Sequence, residues 1–314
     1  MTRHLALVGP TATGKSAIAL EIARAAGDIE IVSLDSMQVY REMNIGTAKP
    51  TGEELAEVPH HLVDVADPSE PWSVARTQEL ARAAIASIEA RGKRAILVGG
   101  TGLYVQAVVD GLTLPGEHLP TRVALLAATD DTAGLAAAYA RLRALDPEAA
   151  ARTEPGNRRR IVRALEVIET SGRPFSSFGP GIQAYGPPLL PVTLVGCWVP
   201  RAVLAERIAQ RFAAMAAGGL LDEVRALAAR PAGIAHTAEQ AIGYRELLAF
   251  LRGELPSAAA AFDLAVRRTR QFARRQRMWF RRDPRIRWVA AEKLATRTPA
   301  VLATWAGSVP APTP

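Results

Sequence analysis

Gly9-Pro10-Thr11-Ala12-Thr13-Gly14-Lys15-Ser16 fits the pattern G-x-x-x-x-G-K-[ST]. That spacing lets the backbone N–H groups of a glycine-rich loop close around phosphate oxygens at the positive end of a helix. In such a loop Lys15 neutralises the terminal phosphate, and the Ser16 hydroxyl is a ligand for a magnesium ion that keeps most of its waters. The motif leaves open whose phosphates are held, since a diphosphate fits it whether it hangs from a nucleoside or from something else. Asp35 heads a second cluster, Asp35-Ser36-Met37-Gln38-Val39-Tyr40. Three tasks suit a carboxylate there: holding magnesium, taking a proton from an attacking nucleophile, or capping a following helix. In Gly99-Gly100-Thr101-Gly102-Leu103-Tyr104 the glycines admit a ligand close to the backbone, and the Thr101 hydroxyl can hydrogen-bond a bridging or leaving oxygen. His60 and His61 lack a third ligand at metal-binding spacing and read as the start of a strand.

Short apolar runs predict the strands that must carry these residues: Leu5 to Val8, Ile29 to Ser33, His61 to Val65, Arg94 to Val98, Val192 to Val199 and, more weakly, Ile286 to Val289. Helical patterns lie between most of them, beginning with Ala17 to Ala26 after the phosphate loop. The alternation predicts an α/β fold, a P-loop NTPase-like, doubly wound parallel sheet with ligands at the carboxyl ends of the strands. Asp35 then shares a rim with the phosphate loop. From 113 to 191 no strand pattern appears, and helices are expected at Arg122 to Ala128, Thr132 to Leu145, Pro147 to Arg152 and Arg158 to Ser171, an inserted all-helical subdomain. After the fifth strand comes a helical C-terminal region: Ala202 to Ala216, Leu220 to Ala229, Ala238 to Leu251 and a long helix from Ser257 to Arg281. The expected division is therefore a core of 1–112 with 192–307, an insertion of 113–191, and a proline-rich, disordered tail at 308–314.

At 314 residues, 49% of them hydrophobic and 22% charged, the chain can bury a full core without staples. No apolar run is long enough to span a membrane, and Met1-Thr2-Arg3-His4 leads straight into the first strand rather than a signal peptide. A soluble, cytoplasmic, monomeric protein is expected. The one cysteine, Cys197, reads as a small core residue. The net charge of +7 is concentrated: ten arginines against the single acid Asp283 give the stretch from Arg267 to Arg287 a charge of +9, leaving about −2 for the rest. Arg267, Arg270, Arg274, Arg277 and Arg281 recur at steps of three and four, so one helix carries them as a stripe, while Thr269, Phe272, Ala273, Gln276 and Phe280 face inward. Five guanidinium groups without acids beside them repel one another, and a nucleic-acid phosphate backbone relieves that repulsion. Arg158, Arg159, Arg160 and Arg163 make a smaller basic cluster on the last helix of the insertion.

Taken together, these motifs resemble the IPP transferase family, the tRNA dimethylallyltransferases, in its compact bacterial form. The likeness also includes Asn44-Ile45-Gly46-Thr47-Ala48-Lys49-Pro50, Arg163-Ala164-Leu165-Glu166-Val167, Ala241-Ile242-Gly243-Tyr244-Arg245-Glu246, Thr269-Arg270-Gln271-Phe272-Ala273-Arg274-Arg275-Gln276 and Trp279-Phe280-Arg281-Arg282-Asp283-Pro284. The resemblance implies that Gly9 to Ser16 hold dimethylallyl diphosphate with magnesium rather than a nucleotide. It implies an adenosine extruded from a tRNA anticodon stem-loop, Asp35 as the proton acceptor for its N6 amine, and Lys15 and Thr101 at the reacting centre. It places tRNA contacts at Asp35, Ser36, Met37, Gln38 and Thr101, and at Arg122, Arg159, Arg160, Ile161, Val162 and Arg163. The Gln38 amide is expected to be able to pair with adenine. Three other activities share some of these features: prenylation of free adenine nucleotides, phosphorylation of a small metabolite, and RNA binding without catalysis.

Overall fold

A computed structural model describes residues 3–306 apart from Pro180, Gln183 and Lys293, with 294–296 described in backbone only. The expected tail at 308–314 lies outside the described residues. Six strands, β1 (His4–Val8), β2 (Ile29–Ser33), β3 (His60–His61), β4 (Arg94–Gly99), β5 (Val192–Trp198) and β6 (Arg287–Ala290), form one wholly parallel sheet in the order β3-β2-β4-β1-β5-β6. All five residues of β1 and of β2 are buried, as befits strands covered on both faces. The register decides where the chemistry goes. Val8 lies opposite Gly99 and Ser33 opposite Val98, so three loops leave adjacent carboxyl ends side by side: the one after β2 with Asp35, the one after β4 with Thr101, and the phosphate loop after β1.

The helices in chain order are α1 (Lys15–Ala26), α2 (Gly52–Glu57), α3 (Val74–Ala90), α4 (Gly102–Asp110), α5 (Leu119–Ala128), α6 (Thr132–Leu145), α7 (Pro147–Ala151), α8 (Arg158–Ser171), α9 (Arg201–Ala217), α10 (Leu220–Ala228), α11 (His236–Glu239), α12 (Tyr244–Leu251), α13 (Ala258–Phe280) and α14 (Leu294–Trp305). A short 3-10 turn spans Phe175–Phe178. The chain divides into two compact units, one built from the chain up to Gly111 and from Tyr185 onward, the other from Leu112–Ala184. Residues 185–191, expected with the insertion, belong to the first unit, where Leu189 and Leu190 both donate to the Val109 carbonyl at 2.9 and 3.3 Å. Among the described residues no helix is long and apolar enough to cross a membrane.

Two elements differ from expectation. The strand predicted over His61 to Val65 stops at His61, because Leu62 and Asp64 take φ of 63° and 56° and turn the chain out of the sheet. The helix predicted over Ala238 to Leu251 is two, α11 and α12, broken at Gly243, whose φ of 101° no helical residue adopts. In the second unit the described residues include no strand, and α5 to α8 bury Leu125, Leu142, Ala149, Ile161, Val162 and Leu165. Asp146 fixes α7 from its first turn, accepting from the Ala149 N–H at 3.0 Å and from the Ser176 N–H at 2.7 Å.

Candidate active site

Lys15 is buried, and its ammonium donates to the Pro10 carbonyl at 2.6 Å, across the loop that precedes it. Thr13 Oγ1 donates to the same oxygen at 2.9 Å. Burial pulls the Lys15 pKa down from 10.5 to about 8, against the attraction of Asp35. Ser16 is exposed, and its hydroxyl makes no hydrogen bond among the described residues. Behind the loop, Cys197 is fully buried and its thiol is pushed up to about 11 by burial, which makes it an inert core residue rather than a nucleophile.

Asp35 follows β2 as expected but caps no helix. Its Oδ1 accepts from the Met37 N–H at 2.8 Å, fixing a turn, and its second carboxylate oxygen accepts no hydrogen bond from the described residues. Asp35, Ser36, Met37, Lys15, Ser16 and Thr101 all line one cavity of about 1070 Å³, which lies wholly within the first unit. Thr101 precedes α4 without capping it through its side chain, so its hydroxyl is available to a ligand. Gln38 also lines the cavity, yet its amide is taken up by the protein. It accepts from Ser33 Oγ at 2.9 Å and donates to the Thr47 and Ala48 carbonyls at 3.3 and 3.2 Å, holding the Asn44 to Pro50 loop against the site rather than presenting a free amide for adenine.

Three partners of this cavity escaped the sequence reading because each comes from a helix remote in the chain. Gln276 of α13 accepts from the Thr11 N–H at 2.9 Å and donates to the Gly100 carbonyl at 2.9 Å, tying the phosphate loop to the turn after β4. Arg211 of α9 donates to Thr11 Oγ1 at 3.2 Å; burial lowers its pKa and the charge of Asp35 opposes that shift. Arg297 of α14 also lines the cavity. With Lys15, Arg207, Arg211, Arg245, Arg268, Arg275 and Arg297 around it, Asp35 is the one acid among the lining residues. A site of that balance favours a polyanion.

The arginine stripe faces outward. Arg267, Arg270, Arg274 and Arg281 are exposed, and Arg277 is half-buried with its guanidinium 6.0 Å from the Trp198 ring centre. Thr269, Ala273, Gln276 and Phe280 are buried on the other face of α13, with Phe272 half-buried and lining the cavity. In the second unit the basic cluster divides. Arg159 and Arg160 are exposed. The Ile161 and Val162 side chains, expected at tRNA, are instead buried at 0% and 3% in the unit's own core, because α8 must turn an apolar face inward to fold. Arg122 and Arg163 both clasp the buried carboxylate of Glu166, Arg122 Nε at 3.0 Å and Arg163 Nη1 at 3.0 Å, while the His118 N–H donates to it at 2.7 Å. Burial alone would raise the Glu166 pKa; these donors bring it below the ordinary value.

A profile of the family described as IPP transferase matches residues 38–283. The chain belongs to the IPP transferase family. Among curated relatives, this transferase is 51% identical to the tRNA dimethylallyltransferase of Salinispora arenicola over 91% of its own length and 81% of the relative's. It is 48% identical to that of Streptomyces coelicolor over 92% and 90%. Among solved structures it resembles the tRNA isopentenylpyrophosphate transferase of Bacillus halodurans, with a TM-score of 0.70 at 37% identity over 98% and 97% of the two chains. A eukaryotic dimethylallyltransferase captured acting on tRNA gives a TM-score of 0.72 at 25% identity, over 98% of this chain and 77% of that one. The family profile starts beyond the phosphate loop and Asp35 and stops before α14, so in this IPP transferase Lys15, Ser16, Asp35 and Arg297 stand on the chain's own motifs and geometry.

Proposed function

We propose that this transferase moves a dimethylallyl group from dimethylallyl diphosphate to N6 of the adenosine at position 37 of tRNA, beside the anticodon. The observation that carries the reading is the juxtaposition of Lys15, Thr101 and Asp35 in one cationic cavity at the carboxyl ends of β1, β4 and β2. The tRNA dimethylallyltransferases near half identity support it, as does the exposed arginine stripe, which free adenine nucleotides or a small metabolite would not need.

In the reaction the N6–C1 bond forms as the C1–O bond to diphosphate breaks, the electron pair leaving with the diphosphate and one N6 proton passing to Asp35. An exocyclic amine is a weak nucleophile, so a carboxylate with one oxygen fixed by Met37 and the other open is the group that collects the proton. Lys15 and Arg211 offset the charge that accumulates on the departing diphosphate, and the Thr101 hydroxyl donates to its bridging oxygen. The exposed Ser16 hydroxyl, a hard oxygen ligand with no hydrogen bond among the described residues, would hold magnesium here. When bound it neutralises leaving-group charge. Arg270, Arg274, Arg277 and Arg281 on α13, with Arg159 and Arg160 on α8, are assigned to the tRNA phosphates.

Incubation with labelled dimethylallyl diphosphate tests the reading. Label should appear on unmodified tRNA and not on free adenylate, and Asp35→Ala should lower transfer by about 10²- to 10⁴-fold while binding tRNA as before. Label on adenylate alone, or full activity in Asp35→Ala, overturns it.

A further inference from the structure

We propose that Arg297 is a third cationic ligand of the diphosphate, delivered to the phosphate loop by α14; this rests on the reading of the cavity as a prenyl diphosphate site. Arg297, Val301 and Trp305 recur at steps of four and share one face of the helix. Val301 and Trp305, 0% and 2% exposed, are packed in the same apolar cluster as Ile18 and Ile22 of α1. That anchoring lays α14 along α1 and carries Arg297 to the start of α1. There its guanidinium sits against Gly14, close enough that a Cβ on Gly14 would lie 2.7 Å from Nη1. It lines the cavity with Lys15 and Ser16.

The guanidinium is poorly satisfied for a buried group. Arg297 is 7% exposed, and among the described residues its Nε is buried without a hydrogen-bond partner and Nη2 reaches only the Glu21 carboxylate, at 3.3 Å. Leaving a buried donor unmet is unfavourable, and charge-assisted bonds to phosphate oxygens are the interaction an arginine fork makes best. A diphosphate gripped by the loop supplies oxygens at the place where this donor lacks them. The competing role is that of a brace, holding α14 to α1 through Glu21, whose other carboxylate oxygen accepts from Thr298 Oγ1.

Titration of the full chain with inorganic pyrophosphate and magnesium, beside steady-state prenyl transfer, separates the two roles. Arg297→Met should weaken pyrophosphate binding roughly ten- to a hundredfold, the range for removing a charge-assisted bond, and raise KM for dimethylallyl diphosphate with the KM for tRNA unmoved. Arg297→Lys should recover part of the loss, and it keeps the question answerable should the methionine variant fail to fold. Glu21→Gln, which removes only the brace, should bind pyrophosphate within about twofold of the parent. Parent-like binding by Arg297→Met, or equal losses in Arg297→Met and Glu21→Gln, overturns the proposal for Arg297 alone. A parent chain that binds no pyrophosphate overturns the reading of the cavity and Arg297's part in it together.

Discussion

Replacing Lys15 with methionine should abolish diphosphate binding and yet make the ligand-free protein more stable. The ammonium is buried and among the described residues hydrogen-bonds only the Pro10 carbonyl, at 2.6 Å. Burial brings its pKa from 10.5 down to about 8, so keeping it charged at pH 7 forgoes about 3 kcal/mol of folding free energy. The folded chain releases this proton at a lower pH than the unfolded chain. The penalty is therefore complete below pH 8 and relieved as pH climbs from 8 to 10.5, where the unfolded state binds more protons and stability rises with pH. Methionine keeps the stem and removes the charge, losing a hydrogen bond worth about 1 kcal/mol; Pro10 O retains Thr13 Oγ1 as a donor. The net expectation at pH 7 is a gain of about 2 kcal/mol, read by urea unfolding without diphosphate. Repeating the comparison up to pH 10.5 should close the gap between the two proteins. A variant less stable than the parent at pH 7, or a gap that ignores pH, would refute the account of Lys15 as a charge held in an unfavourable place so that it can meet a phosphate.

Two further outcomes follow from α13. Arg274 and Arg281 are exposed and make no ion pair among the described residues, so changing both to alanine should weaken tRNA binding and lower the slope of log affinity against log salt by about 1 for each tRNA phosphate left unneutralised. An unchanged slope means the stripe faces something other than nucleic acid. Gln276→Met removes both bonds that tie Thr11 to Gly100, and should lower stability by about 2 kcal/mol. It should also cut kcat at least tenfold with tRNA affinity intact, since small misplacements of reacting groups are expensive. Full kcat in single-turnover assays would show that the two loops hold their places without it.

That Lys15, Asp35 and Thr101 share one cavity was readable from the chain because a parallel sheet forces it. Once β1, β2 and β4 are neighbours, the segments that follow them must meet at one edge, and Lys15, Asp35 and Thr101 each stand within a few residues of a strand end. The rest of the cavity was hidden because it arrives through tertiary packing. Gln276 is 265 residues from Thr11 and Arg211 is 200; helical periodicity turns Gln276 inward, but no local pattern says which loop either side chain meets. α14 was missed although Arg297, Val301 and Trp305 carry its pattern, because Pro299 interrupts the window.

The stripe on α13 was legible in the sequence, but which of the remaining arginines stay free was not. The sequence holds ten arginines between 267 and 287, but what a polyanion can use is what remains after the protein's own acids and cavity have taken their share. Arg268 is held by the fully buried carboxylate of Glu246, which also binds Arg245 and accepts from the Gly243 N–H at 2.7 Å. Arg285 is clamped between Asp110 and Asp283 at 2.6 and 2.7 Å, and Arg275 lines the cavity. In the second unit Glu166 claims Arg122 and Arg163 in the same manner. A buried carboxylate that clasps two guanidinium groups cannot be removed without stranding both charges. Such acids therefore divide a basic segment into arginines that build the fold and arginines that face outward, and it is the second set, Arg159 and Arg160 on α8 and the exposed stripe on α13, against which the salt dependence of tRNA binding should be counted.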